Sequence, residues 1–460
     1  MTAQTILPAN TLSSGGYDVA NSVRMETNTY LTGSDKVTAT SNKIGSFSFW
    51  IKRSGLGANA GGIIKVYDDA NTGSYIGFKD DNTFFVEETN AGGTAIVNLI
   101  TNAVYRDMSA WYHILVTFKT DDGTDSNRVK LYINGTQPSL GTATYPNENT
   151  NLLILGSANP KHEVGVNAGG ASGKHYLAQL LHVDGTALSN TDVGEFDEDS
   201  GIWKPIDISE TTLGNNGYYL SMEDSSNFGV ATGKAFTANN LAAVDQSTDT
   251  CTNNFATLNP LDVNPSSAGD VFTEGNLKLV TNNNSNAAGS RSTIAVSSGK
   301  WYAEVKYTSA TAWNGVAAMD VNFHTDSMGA ATISWYQGRT LYVDGTNTAN
   351  WGSVVTAGDI VGIALDMDNN RVTISQGGQW WDTDAFDAAA PTTYQNLTSG
   401  YDTWGFMCRS GSAASTSEWN FGAPMFTGTD EADGDGFGNF EFAVPSGYFS
   451  WCTKNLAEYG

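Results

Sequence analysis

A chain of 460 residues exceeds the roughly 250–300 at which one hydrophobic core stops growing, so at least two domains are expected. Fifty glycines, 11% aromatics and abundant Thr, Ser and Asn describe an all-β protein rich in turns and exclude a helical bundle. Lys+Arg 23 against Asp+Glu 48 gives a net charge of −25, which repels nucleic acid and anionic membrane surfaces, and no apolar run approaches the ~20 residues of a membrane-inserted helix.

The opening "MTAQTILPANTLSSGG" lacks a basic region followed by an apolar one and does not read as a secretory signal. From residue 21 onward, short alternating runs are separated by Gly, Asn and Asp, which predicts many strands with tight turns. "FSFWIKRSG" (47–55) and "WYHILVTFK" (111–119) are two such runs, and "SYIGFKDDNTFFVEE" (74–88) is a hairpin about Asp80, Asp81 and Asn82. In "RVKLYINGTQ" (128–137), Val129, Leu131 and Ile133 alternate with Lys130, Tyr132 and Asn134, and Asn134-Gly135 is a two-residue hairpin turn. The device returns in "RVTISQGGQ" (371–379), where Gly377-Gly378 makes the turn, so two domains of like architecture are expected. Between them, residues 227–269 lose alternation and read as an irregular linker. The predicted division is therefore 1–226, linker 227–269, and 270–460. Cys251, Cys408 and Cys452 lack metal or redox spacing and read as buried free thiols, with a Cys408–Cys452 bridge as the alternative.

These runs, with "YLAQLLHVDGTAL" (176–188), resemble a laminin-G-like jelly roll, while "SGKWYAEVKYTS" (298–309), "AGDIVGIALDMDNNRVTIS" (357–375) and "WGFMCRSG" (404–411) resemble a SPRY domain. Both resemblances imply concanavalin A-like β-sandwiches in tandem. The order of these parts, with "TLNPL" (257–261) between them and "VPSGYFSWCTKNL" (444–456) at the end, resembles virion structural proteins of tailed bacteriophages, notably of marine hosts. That resemblance implies a tail fibre or capsid-attached appendage on the virion exterior.

Three groups of residues carry candidate chemistry. "GEFDEDSGIW" (194–203) spaces Glu195, Asp197 and Asp199 two apart, as on one face of a strand. Laminarinase-type glycosidases of the sandwich fold use such a strand, but with apolar residues between the acids; here Glu198 intervenes, and an ionised Glu198 in a core would cost several kcal/mol. The stretch reads as a solvated acidic loop, with calcium held by Asp192, Glu195, Asp197 and Asp199 as the metal alternative. His113, His175 and His182 show no ligand spacing; a separation of seven places the last two on opposite faces of a regular strand. Among the tryptophans, Trp50, Trp111, Trp301 and Trp419 fall in strand patterns and are expected in the core. Trp313, Trp335, Tyr336, Trp351, Trp380 and Trp381 lie beside turns, where exposed rings would stack on sugars.

The resulting expectation is a non-enzymatic virion protein that adheres to host-surface glycans, has other virion proteins as partners, assembles as a homo-oligomer, and needs no cofactor unless calcium. A secreted lectin and a sandwich-fold glycoside hydrolase are the alternatives.

Overall fold

The computed structural model describes residues 16–57, 62–67, 72–156, 161–166, 173–229, 232–263, 269–281, 288–308, 311–322, 331–336, 340–351, 354–410 and 414–460. The protein is all-β, two sandwiches in tandem, and the chain passes from one compact unit to the other between Thr252 and Asn253.

In the first domain one sheet runs, in spatial order, Thr232–Gly233, Tyr218–Leu220, His175–Asp184, Ile44–Arg53, Trp111–Lys119 and Val129–Ile133, with Ser22–Met25 and Gln246–Ser247 added along His175–Asp184. The facing sheet runs Leu140–Thr144, Ala95–Val104, Thr83–Thr89, Gly73–Phe78, Gly62–Tyr67, Glu163–Val164, Tyr30–Gly33 and Phe236–Asn239. Every pairing is antiparallel. The core lies between the sheets, where Phe47, Phe49 and Ile51 meet Ile76, Phe84 and Val86. Alternation sets this face: Val129, Leu131 and Ile133 are buried while Lys130 and Tyr132 are half-buried. The Asn134-Gly135 turn forms as expected, with both residues at positive φ (48° and 74°). A Cβ at Gly135 would fall 2.2 Å from the Trp203 ring, so close packing as well as φ demands glycine there.

The other face of Ile44–Arg53 is buried too, which alternation alone did not anticipate. Lys52 pairs with Asp249 at 2.7 Å, and Trp111 Nε1 donates to the same carboxylate at 3.1 Å. Arg24 Nη2 donates to the Val244 carbonyl at 2.8 Å. Residues 243–252 thus lie over the outside of the sheet. The reading of 227–269 as a linker is corrected accordingly. Phe236–Asn239 is a sheet strand of the first domain, and residues 253–263 belong to the second, where Leu258 is core and Asp262 holds Arg291 at 2.7 and 3.1 Å. Small polar residues hide the pattern because these segments pack through buried hydrogen bonds more than through apolar side chains.

The second domain has a ten-stranded sheet, whose main path is Val271–Thr273, Lys278–Thr281, Ser415–Asn420, Lys300–Tyr307, Ile360–Asp366, Arg371–Gln376, Gln379–Trp381 and Phe386–Ala388. It faces a six-stranded sheet ordered Gly289–Arg291, Trp404–Ser410, Ala312–Ala318, Thr332–Tyr336, Thr340–Val343 and Thr346–Asn350. Trp301, Trp404, Trp419 and Trp451 fill the core between them. Gly377 and Gly378 turn at φ 58° and 77°, as the second hairpin required. The C-terminal segment returns over the ten-stranded sheet: Phe449–Ser450 pairs parallel with Lys300–Tyr307, and Phe440 and Tyr448 cover Tyr302 and Trp380. The three cysteines are free and buried, and burial pushes the Cys452 thiol up to about 11 and Cys408 to about 12.

Candidate functional site

The acidic stretch folds as a small hairpin, Glu195–Phe196 against Trp203–Lys204. Its carboxylates do not gather into a ligand set. Lys204 Nζ stands 3.3 Å from both Glu195 and Asp197, so the chain's own ammonium occupies the position between them. Asp197 also accepts from the Ser200 N–H and hydroxyl at 2.9 and 2.8 Å, and these bonds hold its carboxyl down at about 2. Asp192 caps its own turn through Ser189, and Asp199 is exposed in the loop. The proposed calcium ligands Asp192, Glu195, Asp197 and Asp199 are thereby each committed elsewhere or turned to solvent, and among the described residues no group of three His, Cys, Asp or Glu side chains is placed to hold a metal.

The histidines are core groups. His113 Nε2 lies 2.9 Å from Ser48 Oγ, and His182 Nδ1 lies 3.1 Å from the Ser46 carbonyl. The expected opposition of His175 and His182 is wrong. A bulge between Ala178 and Leu181, with Gln179 at φ 46°, shifts the register by one, so His175 pairs with Arg53 and His182 with Phe47, both on the core face. His182 stacks on Phe47 at 4.1 Å and meets His162, which the sequence did not single out, at 5.0 Å. Desolvation lowers all four: His113 and His175 to about 3, His182 to about 4, and His162 well below the usual imidazole value.

Two carboxyls sit at the other extreme. Burial raises Glu88 and Glu304 to about 7 each. Each grips two successive backbone amides: Glu88 accepts from Leu153 and Ile154 at 2.7 and 3.2 Å, and Glu304 from Glu441 and Phe442 at 2.9 Å each. Glu304 also takes the Tyr302 hydroxyl and the Asn420 amide. These are structural clamps whose lone pairs are engaged by the fold.

Of the six aromatic candidates, four are core. Trp335, Trp351, Trp381 and Phe386 form a ladder with successive centroid separations of 5.8, 5.6 and 5.4 Å, and Trp351 stacks on Trp381 within 16° of parallel. Trp380 does face away from Trp381, as adjacent strand residues must, but the C-terminal segment covers that side as well. For Trp335, Trp351 and Trp381 the correction is that they point into the core between the sheets, and for Trp380 that the C-terminal segment covers the outer face, which periodicity does not reveal.

Trp313 and Tyr336 remain half-exposed and pair directly across neighbouring strands, 5.9 Å apart. The structure adds Tyr342, whose ring lies 5.3 Å from Trp313. Tyr342 pairs with Ser334, two residues before Tyr336, so all three rings share the outer face of the six-stranded sheet. Thr340 and exposed Asn347 lie beside them on the same face. A signal for Tyr342 existed: "TLYVDGTN" is an alternating run closed by an Asp-Gly turn, and Asp344 and Gly345 adopt φ 51° and 74°.

The profile of the concanavalin A-like lectin/glucanases superfamily matches residues 25–170. Among solved structures, the chain is similar to the SPRY domain of human HERC1, at 13% identity, covering 37% of this chain and 99% of that one with a TM-score of 0.29. It is similar to the TRIM65 PSpry domain at 10% identity, covering 36% and 88%, TM-score 0.28. A third likeness is the heptameric SAP-like pentraxin of Limulus polyphemus, at 17% identity, covering 38% and 81%, TM-score 0.28. No curated protein matches the sequence. The protein thus carries a concanavalin A-like domain, with SPRY and pentraxin sandwiches among its structural neighbours.

Proposed function

We propose that this protein is a non-enzymatic adhesion module, an appendage on the exterior of a tailed-phage virion that holds host-surface glycans. The observation that carries the binding reading is the set of half-exposed rings, Trp313, Tyr336 and Tyr342, on one sheet face beside Thr340 and Asn347. Sugars present an apolar ring face and a hydroxyl rim, which is the complement of such a surface. The placement on a virion is supported by the resemblance in the order of segments. Assembly in several copies, beside other virion proteins, would turn weak single contacts into avidity.

A glycosidase is the weaker reading. An acid catalyst must hold its proton near neutrality, whereas Asp197 is kept ionised by Ser200 and Lys204. The decisive experiment is binding of the whole protein to a glycan array and to host cells. Trp313→Ala is expected to weaken binding at least about tenfold, as loss of a central aromatic contact does. Full binding by Trp313→Ala, or turnover of polysaccharide abolished by Asp197→Asn, would defeat the reading. Detection of the chain by mass spectrometry in purified particles tests the virion placement.

A further inference from the structure

The first domain has an opening that the aromatic patch does not involve. Val129–Ile133 is the edge strand of one sheet and Leu140–Thr144 of the other, and between these edges lies a cavity of about 170 Å³. A cavity of roughly 150 Å³ accepts one benzene molecule, so this one has room for a single six-membered ring. Its floor is apolar, with Leu99, Val129 and Leu131 at most 4% exposed, and half-buried Leu140 and Tyr145 form a side wall.

Its rim is polar and unspent. Ser126, Lys130 and Gln137 make no side-chain hydrogen bond or ion pair with the described residues, and Asn127 donates its amide to Asp122, leaving its carbonyl oxygen open. Neighbouring Arg128 is used up on the carbonyls of Asp122 and Pro146, which sharpens the contrast with Lys130. In a chain of net charge −25, a lysine that makes no ion pair among the described residues, its charge reaching the Asp122 carboxylate only from beyond contact, is a counter-ion for an anionic ligand beside a ring-sized cavity. The surrounding hydroxyl and amides suit a ligand rich in hydroxyls.

We propose that this opening binds one pyranose ring bearing a carboxylate, a uronic acid unit, with its ring against Leu131, Leu140 and Tyr145 and its carboxylate paired with Lys130. The site goes beyond the adhesion reading and stands on separate residues. It would give each chain a second weak sugar contact, and so avidity within one molecule.

The test is saturation-transfer NMR and calorimetric titration of the full chain with glucuronate and, in parallel, glucose. Glucuronate is expected to saturate the protein with glucose about tenfold weaker, and Lys130→Met is expected to erase that difference. Gln137→Ala, at an exposed position, is expected to weaken both sugars without unfolding the domain; Leu140→Trp, which fills the cavity, should abolish both. Trp313→Ala should leave both titrations unchanged. Absence of saturable glucuronate binding, or glucuronate affinity untouched by Lys130→Met and Gln137→Ala, overturns the proposal. Glucuronate binding lost in Trp313→Ala but kept in Lys130→Met would also overturn it, by moving the sugar to the second domain, while leaving the adhesion reading intact.

Discussion

Acid is expected to drive the two domains in opposite directions. In the first, His113, His175 and His182 are buried neutral, at about 3, 3 and 4, against about 6.5 when unfolded. A histidine whose folded value is depressed stabilises the fold above the unfolded value, and that stability is lost as pH falls below about 6.5. Between pH 7.5 and 5.0 each of the three therefore gives up about 2 kcal/mol, about 6 kcal/mol together, and His162 acts in the same direction. Glu88 opposes them. Its raised value, about 7 against about 4.5 unfolded, means that protonation favours the fold, returning about 2 kcal/mol over the same interval. The net for the first domain is a loss of about 4 kcal/mol. In the second domain the described residues include no histidine, and Glu304 alone returns about 2 kcal/mol.

Hydrogen exchange on the whole protein resolves this by segment, once intrinsic exchange rates at the two pH values are divided out. Core amides of Phe47–Ile51 and Ile114–Phe118 should lose about three orders of magnitude of protection on going to pH 5.0, while those of Trp301–Val305 should gain about thirtyfold. His182→Phe, which keeps the stack on Phe47, should shrink the first-domain loss by about 2 kcal/mol. Unchanged protection in the first domain, or an equal fall in both, would refute the reasoning from buried neutral imidazoles.

Asp249→Ala strands the Lys52 ammonium inside the first domain and should cost about 3–5 kcal/mol in urea unfolding, whereas Lys52→Met with Asp249→Leu should stay near wild type. Gly135→Val forces a Cβ into Trp203 at positive φ, and about 2 kcal/mol or more should be lost from the thermal transition of the first domain. Native protein at pH 8 should leave all three thiols unreacted with iodoacetamide, since Cys452 and Cys408 are held at about 11 and 12 and Cys251 is raised too; full labelling should appear only in denaturant.

What was legible in the sequence is what period two can encode. The all-β class, the hairpins at Asn134-Gly135 and Gly377-Gly378 and the core positions of Trp301 and Trp419 follow from alternation and turn chemistry, whereas the tandem sandwiches are what the resemblance to laminin-G-like and SPRY domains implies, and Trp50 and Trp111 are buried on an outer face that alternation leaves open. The failures share a cause. Residues 243–252 and the segment carrying Phe440 and Tyr448 have little periodicity, and each covers the outside of a sheet. The expectation that one ring of the Trp380-Trp381 pair lies near the surface, and that 227–269 is a linker, fails for this reason. The bulge at Gln179 escaped because a single inserted residue leaves no compositional trace, yet it reverses which face every later residue of its strand presents.

Those covers also bear on where a ligand can be held. In the first domain, the outer face carrying Lys52 and Trp111 is closed by the buried Asp249 contacts. In the second, the face carrying Tyr302 and Glu304 is closed by the amides of Glu441 and Phe442. Releasing either cover would expose a buried charge or break two charge-assisted hydrogen bonds, at a cost comparable to the stability of a small domain. Neither face is thus open to a partner at modest cost. The half-exposed rings of Trp313, Tyr336 and Tyr342 and the edge cavity beside Lys130 need no such release, because their side chains are already in place in the folded chain. Recognition by preformed surfaces avoids an ordering penalty on binding, which matters most where each single contact is weak.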